Sequence, residues 1–261
     1  MIYEICTQTD PGLERDNNED AVAFDLLTQL CILADGMGGY NAGEVASEMA
    51  TAFIKSEMGR WLTQVGKQAN RQELGRALEI CVENANHAIF RAASANPQYS
   101  GMGTTLVVSV FQDDTLILGH IGDSRCYRLR GMEFEQLTKD HSLLQEQIDA
   151  GLVTPQQALT SSIKNLVTRA LGIENTVSVE INEHCVEAGD LYLMCSDGLS
   201  DMVSTAAIAS IMQGGGTLEQ KARQLIVIAN EAGGHDNITV LLVETRQAPV
   251  KRSFLSKMLR K

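Results

Sequence analysis

Leu30-Cys31-Ile32-Leu33-Ala34-Asp35-Gly36-Met37-Gly38-Gly39 is an apolar run that stops on an aspartate and passes into glycines. The apolar part is too short for a helix and is bounded by turn residues, so it reads as a buried strand with a carboxylate at its end. The same arrangement recurs along the chain. Asp123 follows Leu116-Ile117-Leu118-Gly119-His120-Ile121-Gly122, and Asp197 follows Leu191-Tyr192-Leu193-Met194-Cys195-Ser196 and precedes Gly198. Asp236 stands between Gly233-Gly234-His235 and the run from Asn237 to Val243, and Asp20 precedes Ala21-Val22-Ala23-Phe24.

Working outward, short β-type runs dominate: Tyr3–Thr7, Ala21–Leu26, Leu30–Ala34, Thr104–Phe111, Thr115–Ile121, Arg125–Arg130, Phe134–Leu137, Val177–Ile181, Leu191–Cys195 and Ile238–Glu244. Tight turns at Gln112-Asp113-Asp114 and Arg130-Gly131-Met132 favour antiparallel hairpins. Helical spacing marks Val45, Met49, Ala52 and Phe53, then Leu78, Val82, Ala85 and Ile89, and late in the chain Leu218, Ala222, Leu225 and Ala229. This is an α+β pattern with helices covering antiparallel sheets. No repeat or low-complexity linker divides the chain. The reading is a single domain over residues 1–246, with an irregular insertion at about 140–172 and a basic C-terminal tail at 247–261.

The chain has 261 residues, 44% of them apolar, and a net charge of −12. That is long enough for a real core and globular in composition. No apolar run reaches the length of a membrane span and no signal-peptide pattern opens the sequence, so the expectation is a cytoplasmic protein without a transmembrane segment. The acidity argues against nucleic acid, whose phosphates need clustered Lys and Arg. The charge is unevenly spread: residues 1–246 carry a net of −17 and the tail +5. The six cysteines are never spaced Cys-x-x-Cys and read as structural thiols.

Five acids therefore sit at junctions between buried strands and glycine-bearing turns. Glycine there lets backbone approach a ligand and frees carbonyl oxygens. Carboxylates brought together repel unless protons or a cation compensate. An all-oxygen set lacking Cys and His suits Mg²⁺ or Mn²⁺ rather than zinc. Taken singly each Asp-Gly is above all a turn; the set together points to a cation cluster.

Gly12-x-x-Arg15-x-x-Asn18-Glu19-Asp20-Ala21, Asp35-Gly36-Met37-Gly38-Gly39, Gly101-Met102-Gly103-Thr104-Thr105, Gly122-Asp123-Ser124-Arg125, Asp140-His141-Ser142, Thr168-Arg169-Ala170-Leu171-Gly172, Ser196-Asp197-Gly198 and Asp236-Asn237-Ile238-Thr239 resemble, in order, the motifs of the metal-dependent protein phosphatases of type 2C, the bacterial branch most closely. The resemblance spans about residues 3–245. It implies a four-layer α-β-β-α sandwich of two antiparallel sheets flanked by helix pairs, and a Ser/Thr phosphoprotein phosphatase that reverses a bacterial Ser/Thr kinase, acting as a monomer on phosphorylated proteins.

The resemblance also implies roles. Asp35 would bridge two Mn²⁺ or Mg²⁺ ions, and Gly36 would lend its carbonyl to one of them. Asp197 and Asp236 would complete the second ion's set. Asp20 and Glu19 would act mostly through water, with Asn237 behind the ligands. Asp123 would share a third, weaker ion with Asp197, and Arg15 would clamp the substrate phosphate. Unmetallated, Asp20, Asp35, Asp123, Asp197 and Asp236 present about five negative charges to a phosphate dianion; two divalent ions bring that to about −1 and a third to about +1. The implied reaction is direct attack by metal-activated water. Arg15 suits phosphate because its guanidinium is a fork of donors that stays charged. No Cys-x₅-Arg loop supports a phosphocysteine.

The chain departs from the family in places. Met37 stands where eukaryotic relatives carry a histidine, the favoured general acid, which leaves a metal-bound water as the preferred donor; His120, His141 and His235 read as structural or as supporting the ligands from behind. Tyr40 replaces a frequent histidine, and Leu159-Thr160-Ser161-Ser162-Ile163-Lys164 replaces a familiar His-Pro-x-Arg segment. A pseudo-phosphatase serving as a phosphopeptide-binding or regulatory module, and an enzyme for a small phosphate ester or phosphodiester, are the competing readings; the complete acid set with Arg15 argues against the first. In the tail, Phe254, Leu255, Met258 and Leu259 fall at i, i+1, i+4 and i+5 among bases. That pattern fits either an amphipathic element for an anionic membrane or acidic partner, or a frayed, solvated end.

Overall fold

A computed structural model describes residues 1–38, 42–65, 68–154, 157 and 166–247. The element order is β1 (Ile2–Asp10), β2 (Asp20–Asp25), β3 (Leu30–Met37), α1 (Gly43–Val65), α2 (Arg71–Ala95), β4 (Gly103–Thr104), β5 (Leu106–Gln112), β6 (Thr115–Ile121), β7 (Arg125–Arg130) and β8 (Glu133–Gln136). There follow α3 (Leu143–Asp149), β9 (Glu180–Cys185), β10 (Leu191–Cys195), α4 (Asp197–Ser200), α5 (Thr205–Gln213), α6 (Leu218–Glu231) and β11 (Ile238–Arg246). One sheet runs β1-β11-β10-β7-β8 and the other β2-β3-β5-β6-β9, with β4 added beside β3. Every pairing is antiparallel.

The near-continuous apolar runs are explained by burial on both strand faces. In β3, Cys31 and Leu33 face the other sheet, whereas Leu30, Ile32 and Ala34 face α1 and α2. In β11, Leu241 and Val243 point between the sheets, and Ile238, Val240 and Leu242 point toward α5 and α6. Helix, sheet, sheet and helix thus stack as four layers. Asn70 and Glu73 form a capping box that starts α2, and Thr217 and Gln220 do the same for α6.

Several sequence expectations shift. The last strand before β10 is Glu180–Cys185 rather than Val177–Ile181, because its ladder with β6 begins at Glu180 opposite His120; Val177 and Val179 pack against the α2-side core before pairing starts. Thr104–Phe111 divides at Thr105, whose amide turns aside to donate to Asp35 O at 2.8 Å. The buried stripe of α1 is Ala46, Ala50, Ile54 and Met58, one residue on from the expected set, and Ala52 is exposed. Two elements lacked enough turns to show a period: α3, inside the expected irregular stretch and capped by Ser142, and α5. Residues 158–165 and the tail from 248 onward lie outside the described residues, as does Tyr40.

The turn that feeds β10 is pinned by Asp190, only 1% exposed. It accepts from Arg130 Nε at 2.8 Å and Nη2 at 2.7 Å, from Glu187 N at 2.8 Å and from Tyr192 Oη–H at 3.0 Å. Burial raises its pKa, but these donors outweigh burial and hold it below the ordinary aspartate range. Asp190→Ala leaves a buried tyrosine hydroxyl and an arginine without this partner, and is expected to cost about 2–4 kcal/mol in urea denaturation. A loss under about 1 kcal/mol would show that the turn does not depend on it.

A candidate metal centre at one pole of the sandwich

The strand register brings the acids to one end. Asp20 and Asp35 are direct cross-strand partners in the β2–β3 ladder. Asp123 follows β6, Asp197 opens α4 straight after β10, and Asp236 precedes β11, whose first residue pairs with Asp10 at the end of β1. The structure thus gathers all five predicted carboxylates from both sheets.

Polar side chains hold the pole together. Ser196 Oγ donates to Asp20 Oδ2 at 2.8 Å and accepts from Thr239 N at 3.0 Å, joining the two sheets beside the cluster. Thr105 Oγ1 accepts from Asp35 N at 3.0 Å, and Thr104 Oγ1 donates to Asp35 O at 2.9 Å. Asn237 is the rivet of the Arg15–Asp20 segment: its Oδ1 accepts from Glu19 N at 2.7 Å, and its Nδ2 donates to Pro11 O at 3.0 Å and Asn17 O at 2.8 Å. Glu19 O in turn accepts from Gly36 N at 3.1 Å and Ser47 Oγ at 2.6 Å. A β-carbon on Gly36 would lie 2.1 Å from Gly43 O, so only glycine fits there.

Electrostatics at the pole is unfavourable without cations. Burial, followed by the charges of Asp20, Asp197, Asp123 and Asp236, pushes Asp35 well above the aspartate range. Burial, opposed by hydrogen bonds from Thr239 and Ser196, raises Asp20 to about 7. Burial with Asp197 and Asp140 raises Asp123 to about 7, and burial with Asp201 and Asp236 raises Asp197 to about 6. Asp20 Oδ1 is buried and has no hydrogen-bond partner among the described residues. An orphaned carboxylate oxygen amid mutually repelling acids fits hard divalent cations, which favour oxygen donors of this kind. Arg15 lies at the rim, half exposed, with Nη2 donating to Asp236 Oδ2 at 2.7 Å.

Other groups took their place without a role read from sequence. Asp201, four residues beyond Asp197, adds to its charge environment; that spacing signals proximity only once α4 is known. Arg125 grips Asp140 through Nε at 3.0 Å and Nη2 at 2.6 Å beside a cavity of about 320 Å³ that also touches Asp123, Asp197, Leu144 and Val203. His120 and His141 are buried and stacked, ring centroids 4.7 Å apart. His120 Nε2 is 2.8 Å from Lys139 O, and His141 Nδ1 accepts from Gly122 N at 3.2 Å. His235 is exposed and bonded to Glu14.

Residues 14–242 match the family model described as protein phosphatase 2C. The serine/threonine phosphatase stp of Listeria innocua is 38% identical over 240 residues, 91% of this chain and 94% of that one. Among solved structures, the serine/threonine phosphatase PstP/Ppp of Mycobacterium tuberculosis superposes with a TM-score of 0.85 at 36% identity, covering 95% of this chain and all of that one. A PstP catalytic domain solved in complex with two manganese ions superposes with a TM-score of 0.82 at 37% identity, covering 94% of this chain and 99% of that one.

The raised acids give a signed pH dependence. Their folded pKa values exceed the unfolded value near 3.9, so their contribution to stability is full below about pH 4 and is lost as pH rises through about 6–7. In EDTA, the melting temperature of the wild-type chain is expected to fall more steeply between pH 5.5 and 8 than that of Asp35→Asn, and Mn²⁺ at pH 8 should restore the wild type alone. Parallel pH profiles for the two metal-free proteins would refute the coupling.

Proposed function

Because the chain belongs to the protein phosphatase 2C family, we propose that it hydrolyses phosphoserine and phosphothreonine esters on proteins and so reverses the action of a Ser/Thr kinase. The observation that carries this reading is the pairing of a five-carboxylate cluster with a half-exposed arginine at its rim. The acids alone would repel a phosphate dianion, and an arginine alone would bind it without chemistry. Asp35, the Gly36 carbonyl, Asp197 and Asp236, with Asp20 alongside and Asp123 with Asp197 for a third ion, would hold Mn²⁺ or Mg²⁺, which would supply charge neutralisation and Lewis-acid activation of water.

The chain's own groups do the rest. Burial raises Asp20 and Asp123 to about 7 and Asp197 to about 6, so cations held there would favour their ionised forms and tie readiness for substrate to loading. Arg15 then turns from Asp236 to the phosphate. The pair it leaves is exposed on both sides, 51% and 37%, so releasing it costs little. Asn237 and the Glu19 backbone keep Arg15 and Asp20 in register with Asp35. The buried thiols Cys31, Cys195 and Cys81 are poor nucleophiles: burial pushes the first two up to about 12 and the third to about 11, which supports hydrolysis without a phosphocysteine. The cavity between β7, α3 and α5 offers room for residues flanking the phosphorylated side chain. Free cysteines fit a cytoplasmic setting, and no described helix is long and apolar enough to cross a membrane.

Arg15→Ala is expected to raise KM for a phosphothreonine peptide about 10–100-fold, the worth of a charge-assisted hydrogen bond or two, with a smaller change in kcat. Chelation should abolish turnover and Mn²⁺ restore it, with p-nitrophenyl phosphate and the peptide cleaved and a phosphodiester spared. Unchanged constants for Arg15→Ala would remove the clamp, and turnover that survives chelation would remove the metal mechanism.

A further inference from the structure

Two buried histidines beside the metal pole have no task in the proposed reaction. His120 lies near the end of β6, and His141 lies between β8 and α3. His141 grips the turn that follows β6 at two points: its backbone N–H donates to Gly122 O at 2.9 Å, and its Nδ1 accepts from Gly122 N at 3.2 Å. A peptide N–H can only donate, so Nδ1 is the bare nitrogen of a neutral ring. The proton is then on Nε2, which faces Glu180 Oε2 at 3.5 Å. Burial, followed by the charges of His120 and Arg169, holds the His141 pKa below the ordinary histidine value and keeps the ring neutral. His120 donates through Nε2 to Lys139 O at 2.8 Å and stacks on His141, which fixes the plane of that ring.

What is gripped matters. Gly122 has φ +97°, and a β-carbon there would lie 2.7 Å from the Thr105 side chain, so the turn holds a form open to glycine. The next residue is Asp123, 7% exposed. Beyond it, Ser124 Oγ is 2.7 Å from Thr105 Oγ1, which also accepts from Asp35 N. Contacts thus run from His141 through the Gly122–Ser124 turn to the Asp35 backbone. Resting on the reading of Asp123 as a ligand of the third ion, we propose that His141 is a positioning residue for Asp123: Nδ1 sets the Gly122 peptide, and with it the aim of the carboxylate toward the ion shared with Asp197. A cation held by the histidines themselves is the competing use, since His120, His141 and Glu180 bring donor atoms within 4.8 Å of one another. The geometry opposes it: His141 Nε2 carries the proton, and an ion cannot lie in the planes of two stacked rings only 16° from parallel.

Two amides that differ in where they place an acceptor test this on the full chain. His141→Asn puts an amide oxygen near the position of Nδ1, whereas His141→Gln reaches that of Nε2 and leaves Gly122 N–H unpaired. Free Mn²⁺ followed by electron paramagnetic resonance during a titration reports binding without turnover. His141→Gln is expected to weaken the last and weakest binding event about 10–100-fold, the usual cost of losing a group that orients a metal ligand from behind. Its tighter events should match wild type, and amide exchange at residues 122–124 of the metal-free protein should quicken several-fold. His141→Asn should match wild type in both measurements, and Asp123→Asn should lose the weakest event. If Asp123→Asn keeps that event, the third-ion reading fails and takes this proposal with it. If Asp123→Asn loses it while His141→Gln keeps it, even with a lowered melting temperature, His141 is only structural and this proposal alone falls. Loss of the event in folded His141→Asn would overturn the proposal as well.

Discussion

Mutual repulsion among Asp20, Asp35, Asp123, Asp197 and Asp236 is the constraint around which the rest of the molecule is arranged. Left to itself a chain would keep five carboxylates apart in water, where repulsion is screened and hydration is complete. Here two sheets converge on them, burial strips hydration from Asp20, Asp35, Asp123 and Asp197, and those four are forced upward in pKa until protons or cations intervene. The core must supply the free energy for this, and the covering of both strand faces by apolar neighbours is what supplies it.

A rigid frame is needed because the cluster cannot hold itself together. Ser196 and Asn237 do this by bonding from the β10 and β11 ends to Asp20 and the Glu19 backbone of the other sheet, and Thr104 and Thr105 by bonding the Asp35 backbone within its own sheet. The arrangement places attraction where the charge is not: neutral hydroxyl and amide groups fix Asp20 and Asp35, and among the described residues Arg15, the cation at the rim, is held by an exposed pair with Asp236. It can therefore move to substrate while the frame stays still. That division between fixed anions and a movable cation suits the binding of a dianion that must also leave as product.

Much of this was legible in the sequence. An aspartate that ends an apolar run before glycine declares itself locally, so Asp35, Asp123 and Asp197 stand out without any structure. What local reading could not supply is pairing across distance. The Asp20–Asp35 register, the bond from Ser196 to Asp20 over 176 residues of chain, and the resting pair of Arg15 with Asp236 all depend on which strands lie side by side. The β9 boundary failed for the same reason, since Val177 and Val179 are apolar enough for a strand but have no ladder partner. α5 was missed because nine residues give too few turns for a period to emerge.

The central claim is that these five acids form the cation site of the enzyme. Anomalous diffraction at the manganese edge from crystals grown with Mn²⁺ tests it most directly. At least two peaks are expected, enclosed by Asp20, Asp35, Asp197 and Asp236, both absent from crystals of Asp35→Asn. Manganese found elsewhere, for example between His120, His141 and Glu180, with none among the aspartates, would contradict it.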